Sequence, residues 1–257
     1  MRHWAPELTS KDIRFISETL ALPENYLRDN EYLEEILSDE MLFKRIMSDE
    51  EILLKISPFL FFKVLLKRAQ RELKWESYTV EKHGLHSVYV FDTDILSDVL
   101  HKRDVINYLA SLLASFTKVK SFSIYLIIRK KLYKFKQSSL DIDALEEELN
   151  YLEEDKRFPL LKRIADTTLF LSGMFPEYLK KRAEELTKKK KKSPNELLKE
   201  FEEKGSLYYH LASMHEDAKK LGLSDVLYTF AQNFSLLKKP INLIERKYLF
   251  FRKDRIF

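Results

Sequence analysis

Cysteine is absent from the 257 residues, and glycine occurs only four times. A disulfide scaffold and a thiolate metal site are therefore excluded. Average glycine usage of about 7% would give roughly 18 in a chain this long. Folds that need many tight turns or Gly-rich phosphate loops are poorly supported, which covers sandwiches, propellers and doubly wound nucleotide folds. GxSxG, Walker, GxGxxG and HExxH patterns are all missing. Long apolar runs are missing too. The longest, Ile52 to Leu66, is interrupted by Lys55, Ser57, Pro58 and Lys63, too short and broken to span a bilayer. The opening MRHWAPELTSKDIRF lacks the apolar segment of a signal peptide, so the expected location is cytoplasmic. Three Gln and seven Asn among abundant Lys and Glu point to a thermophile.

What is present is helix-forming and core-forming material. The chain is 45% hydrophobic and 33% charged, with 18 Phe and 13 Tyr. Its 45 basic and 41 acidic residues leave a net charge of only +4, well short of a nucleic-acid-coating polycation. The expected fold class is mainly α: a multi-helical single domain over 1–257 with a small antiparallel β element within 78–136. A mobile lysine-rich loop is expected at 187–193.

Three units of nine or ten residues, DNEYLEEIL (29–37), SDEMLFKRIM (38–47) and SDEEILLKIS (48–57), each open on capping residues and continue into apolar ones. They predict short helices re-started by caps, with Leu33, Ile36, Leu42, Ile46 and Leu53 inward. Ser48 with Glu51 fits a capping box. Ser57-Pro58 fits an N-cap followed by proline at the first helical position. The helix after it, FLFFKVLLKRAQRELKW, is apolar around most of its circumference and reads as the central core helix. The Val-, Tyr- and Thr-rich 78–91 and the alternating 119–136 read as extended. Gly84 is expected in a hairpin turn, and Gly173, Gly205 and Gly222 at or near helix ends. Ser193 with Glu196 predicts a cap, and Pro240 should bend or break the last helix.

The segments SPFLFFKVLL (57–66), RF (157–158), RIADTTLFLSGMFPE (163–177) and LYYHLASM (207–214) are the landmarks of a resemblance. Over roughly 29–245 the chain resembles a group of uncharacterised bacterial proteins. The resemblance implies a bacterial or archaeal housekeeping context, and it implies no reaction and no transferable catalytic residue.

Candidate chemistry is sparse. No cofactor and no metal site is expected: His210 and His215 do not share a helix face, and His83 and His86 have no supporting ligands. Arg163 and Asp166 lie three apart in an otherwise apolar segment, where a charge must be paired. The plain reading is an internal Arg163–Asp166 bridge. The functional reading is a ligand pocket formed by Arg157, Arg163 and Asp166 with Tyr209 and His210. The segment 118–136 carries seven Lys or Arg and no acid, with Tyr125, Tyr133 and Phe135 interleaved. Lys120, Arg129, Lys130, Lys131 and Lys134 are the nucleic-acid candidates there. The leading expectation is a non-enzymatic helical binding or adaptor protein with a protein partner or self-association. A nucleic-acid binder and a small-ligand or enzyme pocket are the alternatives.

Overall fold

The computed structural model describes residues 7–28, 30–75, 79–83, 86–90, 93–117, 123–128, 131–136, 140–190, 192–250 and 256–257. The side chains of 28–31, 75–93, 118–139 and 188–191 lie outside that description. The chain is mainly helical. Helix α1 (Ser10–Leu20) starts from a capping box: Thr9 Oγ1 accepts the Asp12 N–H, and Asp12 Oδ2 accepts the Thr9 N–H at 2.8 Å. The other Asp12 oxygen takes the Ser57 N–H at 2.7 Å, which ties α1 to a distant helix start. The short repeat becomes α2 (Asn30–Ile36), α3 (Glu40–Ser48) and α4 (Ile52–Lys55), with Leu33, Ile36, Leu42 and Ile46 buried and Leu53 half-buried. The expected Ser48–Glu51 box does not form. Ser48 ends α3 and donates to the Arg45 carbonyl, while Asp49 accepts the Glu51 N–H at 2.9 Å. A carboxylate one residue further on competes for the same amide and wins, being the stronger acceptor.

Helix α5 (Pro58–Trp75) follows its expected cap, with Ser57 Oγ accepting the Leu60 N–H at 3.1 Å. Phe59 to Phe62, Val64, Leu65, Leu66, Ala69 and Leu73 are buried, so α5 is a core helix as its pattern predicts. Strands β1 (Thr79–His83) and β2 (His86–Val90) pair antiparallel, then come α6 (Thr93–His101) and α7 (Arg103–Ser115). Strands β3 (Ser123–Ile128) and β4 (Lys131–Lys136) form a second, separate antiparallel pair. A single β element joining the two segments, as 78–136 suggested, is not supported. Among the described residues the two ladders share no strand pairing, and α6 and α7 intervene in the chain. Gly84 lies outside the described residues.

The remainder is α8 (Ile142–Asn150), α9 (Phe158–Met174), α10 (Pro176–Lys190), α11 (Pro194–Met214), α12 (Glu216–Leu221), α13 (Ser224–Gln232) and α14 (Phe234–Ile244). A π-helical turn, Glu245–Leu249, continues α14. Among the described residues no helix is long and apolar enough to cross a membrane. Helix α9 is the second core helix. It packs against α7, α8, α10, α11 and α14, and its Phe170 ring stacks on Phe116 at 4.0 Å.

Three expectations are corrected here. The first part of the expected lysine-rich loop 187–193 is helix, because α10 runs to Lys190. Lysine is a good helix former, and cations suit a helix C-terminus. Of the bend or break expected at Pro240, the break does not occur, because α14 runs through that residue. Gly205 is not near a helix end but in the middle of α11, whereas Gly173 is the penultimate residue of α9, near a helix end as expected. Each sits inside a helix at a close approach: a Cβ on Gly173 would lie 2.6 Å from Ile241 side-chain atoms, and one on Gly205 2.5 Å from Phe234 and 2.6 Å from Thr168. Gly222, with φ of 70°, is the left-handed helix end its position suggests. Gly205→Ala should therefore destabilise by about 1–3 kcal/mol through overpacking. That outcome reverses the gain of about 1 kcal/mol that Gly→Ala gives in a free helix interior. Urea unfolding of the variant decides the sign.

Candidate functional site

The buried polar centre of the molecule is Asp166, on the inner face of α9. Its Oδ1 accepts the Tyr108 hydroxyl from α7 at 2.9 Å and the Tyr209 hydroxyl from α11 at 2.8 Å. Its Oδ2 takes Lys162 Nζ at 2.6 Å, one turn earlier on the same helix. Three helices thus converge on one carboxylate. The two rings and Phe230 pack edge-to-face, with Tyr108 and Phe230 centroids 4.6 Å apart and Tyr209 and Phe230 centroids 5.3 Å apart. Burial pushes both phenol pKa values well above 10.0, and the negative charge of Asp166 adds to it. Both tyrosines are therefore neutral donors, as a carboxylate acceptor requires.

Lys162, not Arg163, supplies the direct ion pair expected for Asp166. Arg163 instead lies over the Phe116 ring, 4.0 Å from its centroid. A planar guanidinium stacks on an aromatic face in a way that an ammonium cannot match. Burial lowers the Arg163 pKa to about 10, against the opposing pull of Asp166.

Arg163, Lys162 and Asp166 line one wall of a cleft of about 510 Å³. Phe158 and Pro159, at the start of α9, extend that wall. Ser115 at the end of α7 and Asp217, Lys220 and Leu221 of α12 complete it. Of the five residues expected in a pocket, only Arg163 and Asp166 line this one. Tyr209 lies beneath it and reaches it through Asp166. Arg157 Nε is turned away to the Leu152 carbonyl at 3.0 Å. His210 sits with its ring 6.0 Å from that of Tyr228 on α13, away from the cleft. His215 caps α12: its Nδ1 accepts the Asp217 N–H at 3.1 Å, and its Nε2 reaches the Glu154 carbonyl at 3.0 Å. That pairing fixes the tautomer with the proton on Nε2.

The nucleic-acid candidates fall outside this picture. Lys120, Arg129 and Lys130 lie outside the described residues, and of Lys131 and Lys134 only the β4 backbone is described.

A second feature occupies the outer face of α11. Leu207, Leu211 and Met214 are 53%, 37% and 53% exposed, at spacings of four and three on one helix stripe. Tyr228 on the neighbouring α13 is 50% exposed beside them, with His210 between. The opposite face carries Gly205, Tyr209 and Ala212, all buried. Two stripes on one helix are hard to rank by sequence alone. The discriminating signal is the small pair Gly205 and Ala212, which marks the close-packed side. Lys162 was also legible, four residues before Asp166. Tyr108 was not, because nothing local to α7 announces a partner on α9.

No protein-family model matches the chain, and comparison with curated proteins and with solved structures finds no match.

Proposed function

We propose that this protein is a non-enzymatic helical binding module whose docking face is the outer stripe of α11, and that its partner is a second copy of the chain. The observation that carries the reading is the run Leu207, Leu211, Met214, a core-type apolar stripe left in solvent with Tyr228 at its side. Contiguous apolar surface of this kind marks interaction sites. The order of charges along the chain selects the partner. Glu200 and Glu203, both exposed, precede the apolar segment on the same stripe, and exposed Lys219 follows it in the chain, on α12. An acid–apolar–basic order is self-complementary under a two-fold axis. Antiparallel pairing buries the two apolar segments together and brings each acidic end towards the partner's basic end, as an isologous interface requires.

Light scattering after gel filtration tests this. The expected result is a dimer at micromolar concentration that becomes monomeric on Leu211→Asp, with the circular dichroism spectrum unchanged. Glu203→Lys should weaken the dimer, and the loss should shrink as salt rises. A wild-type chain that stays monomeric, or a dimer indifferent to Leu211→Asp, removes the reading.

A further inference from the structure

We infer that His210 makes the α11 interface a pH-gated one: the dimer holds near neutral pH and comes apart in mild acid. This rests on the α11 pairing proposed above, whose symmetry fixes what His210 meets. His210 follows Leu207 by three residues and precedes Met214 by four, so it stands on their stripe. The midpoint of that apolar segment falls between His210 and Leu211. A two-fold axis through the midpoint sets Leu207 against the partner's Met214, and His210 against the partner's Leu211. Each imidazole then lies within one residue of the axis, beside the partner's His210.

The surroundings suit a neutral ring and not a charged one. His210 is already half-buried, with its ring 6.0 Å from that of Tyr228. Between Gly205 and Met214, α11 carries no carboxylate and no other basic side chain. Its two tyrosines there are engaged elsewhere, Tyr208 with Glu146 and Tyr209 with Asp166. Glu203, the nearest acid on the stripe, stands about two helical turns before His210. The ionisable groups of α13 are Tyr228 and Asp225, and Asp225 stands exposed in the first turn, where the helix N-terminus favours its charge. In the monomer, water solvates a protonated His210. In the dimer that water is gone, and two cations would face each other across the axis. An unpaired buried charge is costly, and a like charge beside it adds to the cost. Histidine changes charge between about pH 5 and 8, so in acid each His210 must release its proton for the chains to associate. With two protons released per dimer, the dissociation constant rises by at most about a hundredfold per pH unit of acidification.

Sedimentation equilibrium of the full chain near pH 7.5 and near pH 5.5 is the test, with circular dichroism confirming that the fold is unchanged. Ordinary surface carboxylates stay ionised over that interval. The wild-type dissociation constant should rise at least about tenfold at the lower pH. His210→Leu, apolar at every pH, should dimerise at least as tightly as wild type near pH 7.5 and show no such rise. His210→Gln, polar but never charged, should also give a flat profile. A wild-type dimer equally tight at both pH values overturns the inference and leaves the α11 interface standing. So does a pH response that persists in either variant, since another group then carries it. A His210→Leu chain that stays folded but no longer dimerises near pH 7.5 overturns it as well, because His210 would then not lie in an apolar contact. A wild-type chain that is monomeric at both pH values removes the interface and the gate together.

Discussion

Asp166→Ala should lower the unfolding free energy by on the order of 4 kcal/mol. The size follows from what the carboxylate holds. Tyr108 and Tyr209 are 2% and 0% exposed, and each would keep a hydroxyl with its acceptor gone. A buried donor left unsatisfied costs about 1–3 kcal/mol. Lys162 would also lose its counter-ion, though at 32% exposure water recovers much of that. Tyr209→Phe should cost less, about 1–2 kcal/mol. Asp166 would still accept Tyr108 and Lys162, and no buried donor would be stranded. The ordering, with loss of the acceptor well above loss of either donor, distinguishes a shared hub from two independent hydrogen bonds. Equal effects of Asp166→Ala and Tyr209→Phe in urea unfolding would refute it.

The same hub sets the alkaline limit of the fold. Both phenols have folded pKa values raised above their ordinary 10.0. A raised folded value means that the stabilising contribution is complete below pH 10. It is lost as pH rises further, because the unfolded phenol ionises first. The slope is about 1.4 kcal/mol per pH unit for each tyrosine in the interval between its two pKa values. Stability of the wild type should therefore fall steeply above pH 10. Tyr209→Phe should remove one proton's worth of that slope. Absorbance at the phenolate band, followed with circular dichroism, checks whether these tyrosines ionise only on unfolding.

Much of the helical frame was legible because its signals are local. Ser57 and Pro58 start α5, Gly222 ends α12, and Ser193 with Glu196 forms a full capping box. Each depends on atoms within a few residues of one another. The misread positions depend on distant ones. A glycine serves equally as a helix end and as a place where two helices touch. Only the side chains of Phe234 and Thr168, elsewhere in the chain, decide that Gly205 is the second kind, while Gly173, near the end of α9, is both. The site divides in the same way. Asp166 stood out as a charge among apolar residues, and burial did demand partners. Which cation would pair with it, and that two tyrosines from other helices would share one oxygen, was set by how α7, α9 and α11 pack. Arg157 shows the converse. It was grouped with the pocket by nearness in sequence, yet it serves the connection before α9.

The second large effect lies at Glu34, where an expected cap of short helices meets α5. Lys63 Nζ approaches Glu34 Oε1 at 2.7 Å, Lys67 Nζ approaches Oε2 at 2.8 Å, and Arg103 Nε approaches Oε1 at 3.1 Å. The Lys63 side chain is 4% exposed, so Glu34 is what makes its charge tolerable. Burial lowers the Lys63 pKa despite that attraction. Burial alone would raise that of Glu34, but Lys63 and Lys67 outweigh it and hold the acid below 4.5. Glu34→Gln keeps the shape and removes the charge. It leaves a buried ammonium beside two other cations, and should cost about 3 kcal/mol near neutral pH. Lys63→Met should cost less than about 1 kcal/mol, because an apolar side chain replaces a buried charge while Lys67 and Arg103 still neutralise Glu34. The pH dependence has a definite sign. A depressed folded pKa gives stability that is complete above 4.5 and lost as pH falls through the folded value. The gap between wild type and Glu34→Gln should therefore narrow in acid. Urea unfolding near pH 7 and again near pH 3 tests both points. Equal losses from the two variants, or a gap that persists in acid, would mean that shape rather than charge holds α2 to α5.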